Sequence, residues 1–328
     1  MTNEEMCPLV TVVTATYKKF DHIYETIRSV LNQDYKRIEY IICDDGSPDF
    51  PEEEINSYVK ENGSSDIDFK IIRQPKNVGT VKNLNAAYKA SKGEYVTNVS
   101  CGDVLFTQDV ISRIVKVFQK EKASLVATSR LLYSGNYEPI CLLPHYEERK
   151  ILSELKTPEE QYKALILHRF YDMASGSALA FSREILEETG YFDESYVLWE
   201  DGPFLTKYLQ KNKLCMAYDI ISIWYETGGV STKGHAAIHP LLKKDIQNYN
   251  KDERIRRREI LSRSEKKLLD YEIKLEEKQT KYERLPLFIR YFPQMRSNKR
   301  YISERNARIA SDKQEIQRIM KEGKTICR

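Results

Sequence analysis

Four apolar, β-branched runs lie in the first hundred or so residues, each separated from the next by a segment of helical spacing. That alternation limits the chain to one kind of architecture. "PLVTVVTATY" (8–17) is the first run, and Ile23, Ile27, Val30 and Leu31 recur in 21–33 at the period of one helix face. "IEYIICDDGSPD" (38–49) is the second, with a helix expected over 51–60. "DFKIIRQ" (68–74) is the third, "TVKNLNAAYKAS" (80–91) a helix stopped near Gly93, and "EYVTNVS" (94–100) the fourth strand. Apolar strands alternating with helices predict an α/β fold with a mainly parallel central sheet flanked by helices. In such sheets ligands bind beyond the carboxyl ends of the strands. Here those ends carry Thr14, Ala15, Thr16 and Tyr17, then Asp44-Asp45, then Asp103.

Further on, the spacing predicts a helix over 107–121, a strand over 124–133, a polar excursion over 134–160 and a helix near 158–170. Charge then divides the chain. Residues 241–328 hold 25 Lys+Arg against 14 Asp+Glu, whereas 1–240 hold 27 against 35. An acidic globular domain (1–240) with a basic, helical C-terminal extension (241–328) is the expected organisation. No apolar run approaches the ~20 residues that cross a bilayer. The N-terminal residues are acidic where a signal peptide is basic, so a cytoplasmic protein is expected. Six scattered cysteines, with no CxxC pair, read as free and mostly buried thiols.

Three acidic positions could carry chemistry. Asp44-Asp45 precede Gly46-Ser47, which suits a plain turn equally with a carboxylate that accepts a hydrogen bond from a base. Asp103 ends "SCGD", and a lone acid there could hold Mn²⁺ or Mg²⁺ together with substrate phosphate. Lys82 could approach phosphate as a point charge, or be an ordinary exposed lysine. Glu200-Asp201 stand apart, because Trp199 precedes them and Phe204, Leu205, Tyr208 and Leu209 follow. Acids in the first turn of a helix need no function beyond the helix dipole, but an acid beside tryptophan at a pocket mouth also suits a general base.

Taken in order, these segments resemble a family 2 glycosyltransferase of the GT-A fold, over about residues 8–230. "VTVVTATYKKFDHIYETIRSVLNQDY" is similar to that family's first strand, nucleotide loop and first helix, and "IEYIICDDGSPD" to its second strand and uridine-binding acids. "NVGTVKNLNAAYKASKGEYV" matches its link to the fourth strand, and "SGSALAFSREILEETGYFDESYVLWEDGPFL" its acceptor-side segment ending in an ED pair. The resemblance implies inverting transfer of a sugar from a nucleoside-diphosphate donor, UDP before GDP or dTDP, to a saccharide or lipid-linked acceptor in surface polysaccharide assembly. Tyr17 would pack on the base and Asp45, with Asp44, would bind it. Asp103 would hold the metal, Asp201 would be the base and Glu200 its support. Ser175, Gly176, Ser177 and Trp199 would lie on the acceptor side. The chain departs from the pattern at Ser100-Cys101-Gly102-Asp103, where the family often has DSDD and only the last acid remains. A catalytically silent scaffold protein of the same fold is the competing expectation.

Beyond Asp201, "YETGGVSTKGHAAIH" suggests a loop that could close over the donor, and His235 and His239 are four apart. Leu261, Leu268, Leu275 and Tyr282 recur every seven residues, giving weak support for a coiled coil or oligomer contact. "LPLFIRYFPQMRSNKR", with Phe288, Tyr291 and Phe292 among basic residues, suits an anionic membrane surface. No nucleic-acid-binding motif is present.

Overall fold

The structure, a computed structural model, describes residues 7–64, 66–134, 138–167, 173–226, 239–278 and 281–321. Its first half is β1 (Val10–Thr16), α1 (Ile23–Leu31), β2 (Ile38–Asp44), α2 (Glu52–Asn62), β3 (Ile67–Arg73), α3 (Thr80–Ala90) and β4 (Tyr95–Asn98). β5 (Val104–Leu105), α4 (Val110–Glu121), β6 (Leu125–Tyr133), β7 (Pro139–Leu143), α5 (Tyr146–Ser153) and α6 (Pro158–Ile166) follow. Next come a 3₁₀ turn (Gly176–Ala178), β8 (Leu179–Ser182), α7 (Arg183–Thr189), α8 (Asp201–Tyr208) and β9 (Cys215–Glu226).

One sheet runs β3-β2-β1-β4-β8-β6-β9-β5, with β7 added beside β6. β3, β2, β1 and β4 are all parallel. β8 is antiparallel to both β4 and β6. Side chains alternate between two cores: Val12, Tyr40 and Ile42 pack under α1, α2 and α4, while Val13, Ile41 and Cys43 face α3, α7 and α8. Burial on both faces is what a strand between two helical layers requires.

The excursion expected over 134–160 is instead structured, as β7 and α5. Leu131 and Leu132 pair with Leu142 and Cys141, so a short apolar run extends the sheet despite its polar flanks. Cys43 and Cys141 are buried, but Cys7, Cys101 and Cys215 are only partly so, which corrects the expectation of mostly buried thiols. Cys327 lies outside the described residues, as does His235.

The extension is built from more pieces than its sequence suggests. α9 (Pro240–Tyr249) leads into a π-helical segment (Asn250–Ile255) and a 3₁₀ turn, then α10 (Arg263–Glu277), α11 (Lys281–Arg290) and α12 (Phe292–Lys321). Pro286 lies inside α11. Pro293 is the second residue of α12, where a missing N–H costs nothing. His239 caps α9, its Nδ1 accepting the Leu241 N–H.

The extension packs on the sheet. Tyr249, Leu261, Leu269 and Ile273 join the core that holds Val13, Ile41 and Phe204. Arg254 is fully buried, giving its Nε–H to the Ile166 carbonyl at 2.7 Å and pairing with Glu272 at 3.1 Å. At the far end, Asp312 is buried: its Oδ2 accepts from Leu142 N (3.1 Å) and contacts His145 Nδ1 (2.8 Å), and its Oδ1 accepts from Tyr146 N (2.9 Å). The seven-residue register is not a coiled-coil seam. Leu261 and Leu268 are buried, whereas Tyr282 is 88% exposed. Tyr291 turns inward onto Tyr271, and Lys274 donates to its hydroxyl at 2.8 Å. In α11 and the start of α12, Tyr282, Leu285, Ile289 and Phe292 are exposed apolar residues.

Candidate active site

Parallel pairing brings the predicted residues to one edge of the sheet. Thr16 is opposite Asp44 at the carboxyl ends of β1 and β2. β4 ends lower, with Asn98 opposite Val13, and the chain then climbs beside β1, where Cys101 N donates to Ala15 O at 3.1 Å. The Gly102-Asp103 turn is pinned from α1 by Thr26, whose hydroxyl donates to Asp103 O (2.7 Å) and accepts from Gly102 N (3.1 Å). β8 is antiparallel to β4, so the segment leading into it, Ser175 to Ala178, reaches the same edge. Thr128 holds that turn by donating to Ala178 O at 3.0 Å.

Within this frame the acids have different jobs. Asp44 Oδ2 accepts the Ser47 N–H at 2.8 Å, a turn of the local kind its sequence suggests, with Arg73 Nε 3.6 Å away. Asp45 reaches across to the loop before α3: Oδ1 accepts from Val78 N (2.7 Å) and Oδ2 from Gly79 N (2.9 Å). Burial still raises its pKa above the ordinary carboxylate value, against the pull of those two N–H groups. Thr14 is buried, its hydroxyl shared with Tyr40 OH at 2.9 Å inside the sheet. Ala15 is half-buried, Thr16 is buried, and Tyr17 is exposed with the Lys18 ammonium over its ring. Lys82 is exposed on the first turn of α3.

Gly79 links the two halves of the site. Its φ is +91°, a conformation that suits glycine, and a Cβ there would lie 2.6 Å from the Val197 side chain. Val81 N donates to Val197 O at 3.2 Å, so α3 fixes the chain just ahead of Trp199-Glu200-Asp201. Asn85 fixes it further back, exchanging hydrogen bonds with the Phe192 backbone at 2.9 and 3.0 Å.

Asp201 opens α8. Its Oδ2 accepts from Gly176 N and its Oδ1 from Gly202 N, both at 2.7 Å. Glu200 sits alongside, and a Cβ on Gly176 would come within 2.4 Å of Glu200 Oε1 and 3.6 Å of Asp201 Oδ2. A side chain at 176 would therefore push the Glu200 carboxylate aside while meeting Asp201 only at ordinary contact distance. The Trp199 ring packs inward, 4.7 Å from Tyr249, rather than lying open on the acceptor side. Arg130 brings Nη1 to 3.4 Å from Ser177 Oγ. Nothing marked it beforehand except a charge within an apolar strand.

Glu200 is closely surrounded by protein, although part of it reaches solvent. Burial first, and the neighbouring Asp201 charge second, raise its pKa to about 8. The shift favours its protonated form, which can donate a hydrogen bond beside the Asp201 carboxylate. The sign for stability follows. An unfolded glutamate loses its proton near pH 4.5. Between there and about pH 8 the folded state holds the extra proton, so stability falls as pH rises and levels off above that window. Glu200→Gln removes this dependence. Paired melts of wild type and Glu200→Gln are expected to show a difference that shifts steadily in the variant's favour from pH 5 to 8. A constant difference over that range would contradict the raised pKa.

The architecture is that of GT-A glycosyltransferases. The fold matches a Staphylococcus aureus TarS fragment (1-349), crystallised with UDP-GlcNAc, at a TM-score of 0.58 and 17% identity, covering 86% of this chain and 79% of that one. It also matches the mannosyltransferase PcManGT from Pyrobaculum calidifontis, in complex with GDP-Man and Mn²⁺, at 0.51 and 17%, covering 93% and 74%. The glycosyl transferase family 2 model matches residues 11–190, and the chain belongs to that family. An Escherichia coli protein named UDP-Glc:alpha-D-GlcNAc-diphosphoundecaprenol beta-1,3-glucosyltransferase WfaP is 29% identical over 58% of this chain and 68% of its own length. An uncharacterized glycosyltransferase from Haemophilus influenzae is 32% identical over 116 residues, only 34% of its length. Among the described residues, no helix is long and apolar enough to cross a membrane.

Proposed function

We propose that this protein is an inverting glycosyltransferase, with Asp201 as the base, that moves a hexosyl or N-acetylhexosaminyl group from a UDP-sugar to an acceptor hydroxyl. The observation that carries this reading is the Asp201 carboxylate, aimed by Gly176 N and Gly202 N at the edge where Thr16, Asp44 and Asp103 also end. Both N–H groups and the start of α8 favour a negative charge there. A sugar hydroxyl is a poor nucleophile, and removing its proton as it attacks the anomeric carbon from the face opposite the diphosphate inverts that carbon. Tyr17 and the Asp44-Asp45 loop form the nucleotide side. UDP is favoured because the E. coli relative's name specifies UDP-Glc and the TarS fragment was crystallised with UDP-GlcNAc. The same relative's diphosphoundecaprenol substrate supports a saccharide or lipid-linked acceptor in surface polysaccharide assembly at the cytoplasmic membrane face.

A divalent ion, Mn²⁺ or Mg²⁺, would take Asp103 as its protein carboxylate. The described residues contain no group of three His, Cys, Asp or Glu side chains that could hold a metal unaided. One buried carboxylate, Asp103, apart from the Asp44 and Asp45 side chains that hold backbone N–H groups, fits an ion that arrives on the diphosphate, since such ions commonly take one or two carboxylates plus phosphate. When bound, it supplies positive charge to the leaving diphosphate. The test is UDP release from UDP-Glc and UDP-GlcNAc with a saccharide panel, with and without Mn²⁺, beside thermal shifts with UDP. Metal-dependent release that Asp103→Ala abolishes is expected. No release and no shift with UDP plus Mn²⁺ would leave the scaffold reading.

The extension suits a membrane surface. Tyr282, Leu285, Ile289 and Phe292, spaced by three, four and three residues, share one exposed helix face, and Arg296, Lys299 and Arg300 continue it. Apolar residues beside a basic run suit anionic lipid, at about 1 kcal/mol per basic residue near the surface. Co-sedimentation with phosphatidylglycerol vesicles at low salt is expected, and Ile289→Ser/Phe292→Ser should abolish it. Absence of binding overturns the membrane contact. If light scattering shows a dimer that the same change splits, the face joins two copies instead.

A further inference from the structure

Asp245 lies in α9 and is 1% exposed. One of its oxygens, Oδ2, accepts three consecutive backbone N–H groups: Val197 at 3.0 Å, Leu198 at 2.7 Å and Trp199 at 3.2 Å. Successive N–H groups converging on one anion form a nest, here filled by the chain's own carboxylate. The next residue along is Glu200. One turn further on α9, the Tyr249 ring packs on Trp199 and its hydroxyl meets Thr206 Oγ1 at 2.7 Å, within α8. α9 therefore holds the chain on both sides of the acid pair, before it through Asp245 and after it through Tyr249. From the opposite side, Gly79 and Val81 press on Val197. Among the described residues, the side chains of the pair have few such restraints beyond the two N–H bonds to Asp201.

We infer that Asp245 is a positioning residue for Glu200 and Asp201: by fixing the three peptide units ahead of them, it sets where both carboxylates meet Gly176 and the acceptor. The inference rests on Asp201 being the base. Charge matters as well as shape, because hydrogen bonds to an ionised acceptor are about twice as strong as neutral ones. Asparagine keeps the shape but offers a neutral oxygen to three donors. A displacement of about 1 Å at a reacting group can cost roughly 100-fold in rate.

The test uses the full chain with UDP-Glc or UDP-GlcNAc, whichever turns over. Asp245→Asn is expected to lower kcat about 10- to 100-fold, with the UDP dissociation constant within about twofold of wild type, measured well below each variant's Tm. Ile273→Val, in the packed face of α10, serves as a control that lowers Tm without lowering kcat. Wild-type kcat in Asp245→Asn overturns the inference, as does an equal kcat loss in the control. Should Asp245→Asn not fold, amide exchange in the wild type decides. Val197, Leu198 and Trp199 should exchange as slowly as the central strands, and fast exchange there overturns the inference. Asp201→Asn, assayed alongside, separates the two readings. An active Asp201→Asn sinks the base assignment, whereas an inactive one beside a fully active Asp245→Asn sinks only the positioning role.

Discussion

Asp201→Asn is expected to lower sugar transfer by roughly 10²–10⁴-fold, the usual contribution of a positioned general base. Asparagine is isosteric, but its amide cannot take the acceptor proton. It also cannot keep both existing bonds, because Gly176 N and Gly202 N each donate to a different carboxylate oxygen and the amide has only one acceptor. The proposed nucleotide side comes from other elements, the ends of β1 and β2 and the Gly102-Asp103 turn, so UDP affinity should change little. UDP release measured with acceptor, beside calorimetric titration of UDP, checks both halves. Transfer at the wild-type rate would refute the base assignment.

Ending the chain at residue 240 is expected to leave no folded catalytic domain. Tyr249, Leu261, Leu269 and Ile273 belong to the core shared with the sheet and α8. At ~1.5–3 kcal/mol for each buried side chain, their loss amounts to roughly 6–12 kcal/mol, comparable with the ~5–15 kcal/mol net stability of a whole domain. The truncation also strips the partner from three partly buried N–H groups at Val197 to Trp199, and leaves the Thr206 hydroxyl with Gly202 O alone. The truncated chain should lack near-UV circular dichroism and bind hydrophobic dyes. A cooperative melt within a few degrees of the full chain would show that the charge boundary at 240 is a structural boundary as well.

That boundary shows how far the sequence could be read. The strand–helix alternation up to residue 100 correctly placed Thr16, Asp44 and Asp103 at one edge, because parallel pairing leaves little freedom once four strands and their helices are set. Where carboxylates point was not legible. Asp45 holds Val78 and Gly79, 33 and 34 residues away, at a turn where Gly79 adopts a positive φ. Asp245 was one acid among many charges, and only the packing of α9 under Trp199 distinguishes it. The inward turn of Tyr291 and the outward turn of Ile289 likewise depend on α10 lying beneath them. Helical spacing reports which residues share a face, but not which face is covered.

The last feature to consider is the pair of buried aspartates that fasten the extension. Asp245 secures its beginning beneath Glu200 and Asp201, and Asp312 secures its end on β7 and α5. Between them in the chain lies the outward stripe of α11 and early α12. A handle riveted at both ends cannot swivel as a tethered tail does. A surface gripping that stripe would hold the sheet edge at one height and one tilt. The reach of an acceptor above the surface would then decide which hydroxyl arrives at Asp201, and the extension would act as a ruler for the acceptor.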